Sequence, residues 1–139
     1  MIVVDTNVVV YGLIPARHPA ENAQANAAFL RDPEWCAPLL WRSEFRSLLA
    51  THVRVGGMVP ADAASCWAEA VALLSPRERA VDGAAVLALA VRSGCTAYDC
   101  EFVALARSLG IPLVTADRRI VKAFPNVAVS LANFARGDS

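Results

Sequence analysis

The chain has 139 residues, with thirteen basic and thirteen acidic side chains and a formal net charge of zero. A chain of this length buries about 68% of its unfolded surface on folding, and 56% of its residues are hydrophobic. These values exclude a disordered chain and one that needs disulfides or a structural metal to fold. The neutral total argues against nucleic-acid binding through bulk positive charge.

Short apolar runs alternate with helical periodicity along the chain. Strands are predicted at 2–4, 35–37, 111–115 and 127–129, with 76–81 as a connection or a further short strand. Helices are predicted at 19–30, 39–53, 60–74, 83–92, from 99 to 109, and at 118–124. This alternation predicts an α/β fold, a three-layer α/β/α sandwich around a mainly parallel sheet of four to five short strands. No linker composition interrupts it, so we expect a single domain over 1–139.

Four of the acidic residues occupy positions where a plain surface role is unusual. Asp5 ends the first predicted strand and Asp117 follows the strand at 111–115, so both lie at the carboxyl edge of a parallel sheet, where α/β folds bind ligands. Glu44 lies on the amphipathic helix at 39–53, about 40° from Leu48 at 100° per residue. That position borders the predicted buried stripe, which comprises Trp41, Phe45, Leu48 and Leu49. Asp99 stands at the start of another helix.

Each of these acids also has a purely structural explanation. Asp5, Asp99 and Asp117 can cap the helices that follow them. Glu44 can pair with an arginine of its own helix. Taken together, however, clustered carboxylates repel one another and protonate unless a cation lies between them. Oxygen ligands of this kind favour Mg²⁺ or Mn²⁺.

The cysteines and histidines point away from zinc and from export. Four cysteines occur without a CxxC pair, and the chain has only two histidines, so no zinc pattern fits. The start, MIVVDTNVVV, lacks the basic segment of a signal peptide. The longest apolar run, 84–91, is too short to span a membrane. We therefore expect a reduced, cytoplasmic protein with no membrane contact, and four cysteines that serve as small core residues.

Three segments carry a resemblance to a known family. VVDTNVVVYGL at 3–13, RSEFRSLL at 42–49 and TAYDCEFVALARSLGIPLVTADRRI at 96–120 resemble the PIN-domain proteins, and most closely the VapC-type toxin ribonucleases of bacterial toxin–antitoxin pairs. The resemblance covers nearly the whole chain. Its most specific part is an aspartate that opens a helix, followed by LGIPLVTAD.

The resemblance implies a set of site residues. The family's catalytic, metal-binding acids correspond to the four carboxylates selected above by position: Asp5, Glu44, Asp99 and Asp117. Its small polar residues near the metal correspond to Thr6, Asn7 and Thr115. Glu101 stands where a small residue is expected and lies about 200° round the helix from Asp99, so it is left outside the site. Asp82 is better explained as a helix N-cap.

The implied activity is hydrolysis of RNA phosphodiester bonds assisted by Mg²⁺ or Mn²⁺, with no covalent enzyme intermediate. Candidate contacts to the RNA backbone are the arginines that flank the acids, namely Arg42, Arg46, Arg118 and Arg119. The implied partners are an RNA substrate, a cognate antitoxin protein and a second copy of the chain in a homodimer. Two alternatives stay open: a PIN-type nuclease that is not a toxin, and a non-catalytic module that binds nucleic acid or a protein partner.

The resemblance changes how the net charge is interpreted. When the four site carboxylates are set aside, nine acidic residues face thirteen basic ones, an excess of four that consists almost entirely of arginine. The neutral total is then the sum of a concentrated acidic site and a mildly basic surround. This distribution is a prediction about placement in the folded chain.

Overall fold

The computed structural model describes residues 1–14 and 17–138. Within these ranges, the strands are β1 (Ile2–Val4), β2 (Trp35–Pro38), β3 (Glu78–Arg79), β4 (Leu113–Thr115) and β5 (Ala128–Ser130). The helices are α1 (Thr6–Leu13), α2 (Pro19–Arg31), α3 (Trp41–Val55), α4 (Pro60–Leu74), α5 (Gly83–Ser93), α6 (Ala97–Leu109), α7 (Arg118–Ala123) and α8 (Leu131–Arg136). A 3₁₀ turn at Ser75–Arg77 leads into β3.

The five strands form one sheet in the order β3-β2-β1-β4-β5, and every neighbouring pair is parallel. Strands β1, β2 and β4 are buried along their whole length, as expected for a parallel sheet that helices cover on both faces. The predicted α/β class with a central parallel sheet is confirmed. The largest fully buried side chains include Trp41 and Phe45 of α3 and Phe102 of α6; α6 packs against β1, β2 and β4, and α3 against α1 and α4.

Strand pairing brings distant parts of the chain together at the carboxyl edge. Val4 of β1 lies opposite Val114 of β4, and the Asp5 backbone N–H donates to the Val114 carbonyl at 3.0 Å. The next residue on each strand is therefore Asp5 on one side and Thr115 on the other. The edge places residues 110 positions apart within hydrogen-bonding distance.

Three features of the helices differ from the sequence prediction. Helix α1 begins directly after Asp5, although its Val8–Val10 run is β-branched; an N-cap bond from the Thr6 N–H to Asp5 starts it, and packing overrides the weak β preference. Helix α8 was not predicted, because its six residues carry little periodicity. Leu48 was predicted to be buried, but its side chain is 39% exposed because it faces the cavity described below.

The start of α6 corrects the role expected for Asp99. Thr96, not Asp99, is the N-cap, and its hydroxyl accepts the Asp99 backbone N–H at 3.0 Å. Asp99 is the third residue of the helix and not the residue that opens it. Gly94, with φ of +76°, ends α5 and reverses the chain just before this cap. The Asp99 carboxylate is thus released from capping its helix.

The cysteines confirm part of their predicted role. All four are free thiols, and Cys36 and Cys100 are buried in the core. Cys66 and Cys95 are only half-buried, so the expectation of four core cysteines is wrong for these two.

None of the helices in the described ranges has the length and apolar character needed to cross a membrane.

Candidate active site

All four predicted carboxylates line one cavity of about 540 Å³ at the carboxyl edge of the sheet. They come from four separate segments: the end of β1, helix α3, the first turn of α6 and the residue pair after β4. The fold therefore brings together the residues that sequence position selected one by one.

Asp5 is the most deeply buried of these acids, at 8% exposed. Its Oδ2 accepts the Thr115 hydroxyl at 2.7 Å, and its Oδ1 accepts the Thr6 backbone N–H at 2.8 Å. Burial raises the pKa of Asp5 to about 6, the Thr115 hydrogen bond opposes the rise, and the charges of Glu44 and Asp99 add to it. A charge held in this way is costly to the fold, and it attracts a cation.

Glu44 is tied to the same group through Thr6. The Thr6 hydroxyl donates to Glu44 Oε1 at 2.7 Å. Burial raises the pKa of Glu44, and the charges of Asp99 and Glu101 raise it further against the Thr6 hydrogen bond. Two acids from β1 and α3 are thus linked by one short hydrogen-bonded bridge.

Asp117 is held differently. Its backbone N–H donates to the Thr115 hydroxyl at 3.0 Å, and its Oδ1 accepts the Arg119 N–H at 2.8 Å as the N-cap of α7. Burial alone would raise the pKa of Asp117, but the hydrogen bonds from Arg119 hold it below its ordinary value. Asp117 already has a cationic partner, so it is the least available of the four for a metal ion.

The predicted supporting residues all contact the acids or their segments. Thr6 and Thr115 make the bonds given above. Asn7 donates its side-chain N–H to Asp5 Oδ2 at 3.5 Å and accepts the Ala116 N–H at 3.2 Å. Asn7 therefore joins the segment after β1 to the segment after β4.

Of the four arginines predicted to contact RNA, Arg42 and Arg119 are each paired with an acid, whereas the ion pairs of the described residues include neither Arg46 nor Arg118. Arg42 donates two hydrogen bonds to Glu78, each at 2.7 Å, so its charge is already neutralised. Arg119 forms an ion pair with Asp117 at 3.2 Å. Arg46 lies over the Trp67 ring at 5.1 Å from its centre, and Arg118 is exposed at the start of α7.

Glu101 and Asp82 lie outside the residues that line the cavity. Burial raises the pKa of Glu101, and its charge acts on Glu44, so it is near the acidic group without facing the cavity. Asp82 accepts the Ala84 N–H at 3.1 Å and caps α5, as predicted.

Five further residues line the cavity and were missed by sequence reasoning. They are Leu40, Ser43, Ser47, Leu48 and Tyr98. A usable signal existed: Leu40, Ser47 and Leu48 lie four before, three after and four after Glu44, the spacings that share a helix face. Tyr98 directly precedes Asp99.

The chemistry of the donor set fits a hard divalent cation. Carboxylate, hydroxyl and amide oxygens line the cavity, with no thiol or imidazole among the described residues that face it. Within residues 1–14 and 17–138, no three His, Cys, Asp or Glu side chains are grouped closely enough to hold an ion as they stand. Mg²⁺ typically keeps several waters and takes only one or two protein carboxylates, so a loose acidic group in a water-accessible cavity is compatible with it.

Of the comparisons with known proteins, one shows the family and one supports the fold. The model of the PIN domain family matches residues 2–127. Among solved structures, the chain is similar to PAE2754 from Pyrobaculum aerophilum, with 20% identity, a TM-score of 0.76, and coverage of 98% of this chain and 94% of that one. It is also similar to FitAcB from Neisseria gonorrhoeae, with 18% identity, a TM-score of 0.67, and coverage of 94% and 98%. A search among curated proteins found no significant match.

Proposed function

The chain belongs to the PIN domain family, whose members are generally nucleases that use divalent metal ions, and from this premise we propose that it is an endoribonuclease dependent on Mg²⁺ or Mn²⁺. The reaction is hydrolysis of an RNA phosphodiester bond. The proposed site residues are Asp5, Glu44, Asp99 and Asp117, supported by Thr6, Asn7 and Thr115.

One observation carries the proposal: acids from four separate segments line a single cavity, and burial raises the pKa of Asp5 to about 6. Buried charges in proteins are generally paired with an opposite charge or coordinate a metal ion. Here the neighbours of Asp5 within charge range are two further acids, Glu44 and Asp99. A divalent cation supplies the positive charge that this group of acids lacks, and the phosphate of a substrate can then bind beside it.

Asp5, Glu44 and Asp99 would hold the ion, because Asp117 is already paired with Arg119. When bound, Mg²⁺ or Mn²⁺ would lower the pKa of a water molecule at the site and would stabilise the negative charge on the phosphate oxygens. Thr115 and Thr6 keep the Asp5 and Glu44 carboxylates oriented through bonds of 2.7 Å each. Leu48 and Tyr98, whose side chains are 39% and 63% exposed, add apolar surface to the cavity. Their exposure leaves this part of the cavity open to a strand of RNA.

The test is cleavage of a labelled RNA by the purified protein with Mg²⁺, with Mn²⁺ and with EDTA. We expect EDTA to abolish cleavage. Asp5→Asn and Asp99→Asn should each lower the rate by at least about 100-fold, the upper end of losses seen for outer-shell partners of metal sites. Asp82→Asn removes one negative charge from a helix N-cap outside the cavity, where asparagine caps as well as aspartate, and should leave the rate unchanged.

Circular dichroism of each variant separates loss of activity from loss of fold. Cleavage that persists in folded Asp5→Asn and Asp99→Asn proteins would overturn the assigned site. A folded wild-type protein that binds RNA but never cleaves it would favour a non-catalytic binding module.

We propose further that this nuclease is the VapC-type toxin of a toxin–antitoxin pair, on the strength of the three sequence segments that resemble that class. Induced expression in a bacterium should then arrest growth, and the Asp99→Asn protein should not. Co-expression of the product of a short neighbouring gene for a DNA-binding protein should restore growth. A cleaving enzyme that leaves growth unaffected would instead be a PIN-type nuclease with another role.

The proposed homodimer has apolar surface available to it. Leu87 and Val91, one turn apart on α5, are 63% and 79% exposed. Light scattering should give twice the mass of the chain for the wild type. A charged residue at Leu87 should return the mass to that of one chain if this surface is the interface.

A further inference from the structure

A second cavity, with basic lining, lies beside the acidic one. It has a volume of about 450 Å³ and is lined by the turn at 93–96 together with Arg119, Lys122 and Ala123. No carboxylate is among the described residues that line it. Its charge is therefore opposite in sign to that of the cavity formed by Asp5, Glu44 and Asp99.

The two cavities share a wall made of two hydrogen-bonded pairs. On α6, the Thr96 hydroxyl accepts the Asp99 N–H at 3.0 Å, with Thr96 facing the basic cavity and Asp99 the acidic one. At α7, Asp117 accepts the Arg119 N–H at 2.8 Å. Asp117 lines the acidic cavity and Arg119 lines the basic one. The two cavities are therefore adjacent, with these two hydrogen-bonded pairs between them.

Lys122 is the cation in this cavity that is free to meet a ligand. Arg119 is paired with Asp117 at 3.2 Å, whereas the ion pairs found within residues 1–14 and 17–138 do not include Lys122. Lys122 also lines a smaller cavity of about 200 Å³ together with Asp117 and Arg118, without forming an ion pair with Asp117. Lysine binds phosphate as a compact point charge, and this is the only lysine in the chain.

We propose that the basic cavity binds the RNA phosphate that neighbours the scissile one, with Lys122 as its main ligand and Arg119 as the second. This proposal rests on the proposed function only in its choice of ligand, since the phosphate it names is the neighbour of the scissile one; the basic cavity itself can bind RNA without metal. The acidic cavity needs a cation before it can accept a phosphate, whereas the basic cavity accepts one directly. The site therefore holds the strand in register without reading its bases.

The test measures binding of a short single-stranded RNA in EDTA, so that its outcome does not depend on cleavage. Two kinds of RNA are compared: the natural strand, and a series in which one phosphate at a time is replaced by a neutral methylphosphonate. The proteins are the wild type, Lys122→Ala and Lys122→Arg, with Arg107→Ala as a control that removes an exposed charge at the far end of α6.

We expect Lys122→Ala to weaken binding of the natural strand about fivefold and to reduce the slope of log affinity against log salt by about 0.7, the value for one phosphate contact on a single strand. Lys122→Arg should restore most of the loss. One methylphosphonate position should weaken wild-type binding equally, and on that RNA Lys122→Ala should cause no further loss.

Equal penalties for Lys122→Ala and Arg107→Ala would overturn the proposal, since they indicate general charge attraction. So would a Lys122→Ala penalty that persists on every methylphosphonate RNA. These outcomes are independent of the proposed catalytic function, because loss of cleavage in Asp99→Asn tests the acidic cavity and binding in EDTA tests the basic one. A protein that binds normally but never cleaves contradicts the nuclease proposal alone.

Discussion

Asp5 and Glu78 are two carboxylates close to the same sheet, one buried and one half-buried, with opposite electrostatic surroundings. Asp5 directly follows β1. Glu78 of β3 pairs with Ala37 of β2, and the register of β2 with β1 places Ala37 beside Val4, so the two acids lie near the same end of the sheet. The side chain of Glu78 is 10% exposed, and the residue as a whole is half-buried, whereas Asp5 is buried. Hydrogen bonds from Arg42 lower the pKa of Glu78, whereas burial and the charges of Glu44 and Asp99 raise the pKa of Asp5 to about 6.

Helix α3 supplies both environments. It presents Arg42 to Glu78 and, two residues later, Glu44 to the group around Asp5. Trp41 of the same helix also donates to Glu78 at 3.0 Å. A carboxylate paired with a cation contributes to stability, while one placed among other acids costs stability and is retained for binding. The following predictions test this contrast.

The largest effect is expected from Asp5→Asn. Its cleavage rate should fall by at least about 100-fold, yet its free energy of unfolding in EDTA at pH 7.5 should equal or exceed that of the wild type. The reason is that the substitution removes a buried charge but keeps an oxygen to accept the Thr6 N–H. Urea unfolding and the cleavage assay check the two quantities. A clear loss of stability would show that the Asp5 charge stabilises the fold.

Glu78→Gln should have the opposite effects, a loss of stability with little change in the cleavage rate. It leaves Arg42 without its anionic partner, so unfolding free energy should fall by about 2 kcal/mol. The cleavage rate of the folded protein should stay within about twofold of the wild type, since Glu78 does not line the acidic cavity. A large loss of rate with unchanged stability would place the Arg42–Glu78 pair in the site.

Divalent metal should change the melting temperature of the Asp5 and Glu78 variants differently, although the effect is smaller than the preceding ones. Because the ion binds the folded state, millimolar Mg²⁺ or Mn²⁺ should raise the melting temperature by a few degrees. The increase should be lost in Asp5→Asn and retained in Glu78→Gln. Differential scanning fluorimetry measures it. An equal increase in all three proteins would locate the ion elsewhere.

The smallest effect concerns pH in EDTA. The destabilising charge of Asp5 is fully present above its folded pKa of about 6 and is lost as the pH falls toward the ordinary pKa of 3.8. The free energy of unfolding of the wild type, relative to that of Asp5→Asn, should therefore rise as the pH is lowered from 7 to 4. The contribution of Glu78 is full above its ordinary pKa of 4.5 and is lost as pH falls through its lowered folded pKa. The advantage of the wild type over Glu78→Gln should therefore stay constant from pH 7 to 5.5 and shrink below 4. Parallel pH profiles for the two variants would contradict the contrast.

Much of the fold was readable from local patterns. Apolar runs of three or four residues identified the buried strands, and glycines such as Gly94 and Gly110 marked the helix ends because both adopt positive φ. Helix α1 was harder to predict, because three consecutive valines are typical of a strand and only the Asp5 cap and the surrounding packing favour a helix. The side-chain partner of Glu78 was not predictable either, since Arg42 meets it through the pairing of β2 with β3.

The sequence by itself determined the α/β class and the four acids worth examining, because strand ends and helix faces are local properties of periodicity. Only the tertiary structure decided how those acids differ. Asp5 becomes the costly charge because folding buries it near Glu44 and Asp99, and the Thr115 hydroxyl at 2.7 Å offsets only part of that cost. Asp117 is neutralised by Arg119, and Asp99 is freed because Thr96 caps α6 in its place. Burial, partner identity and pKa depend on residues far apart in the chain, and folding alone brings them into contact.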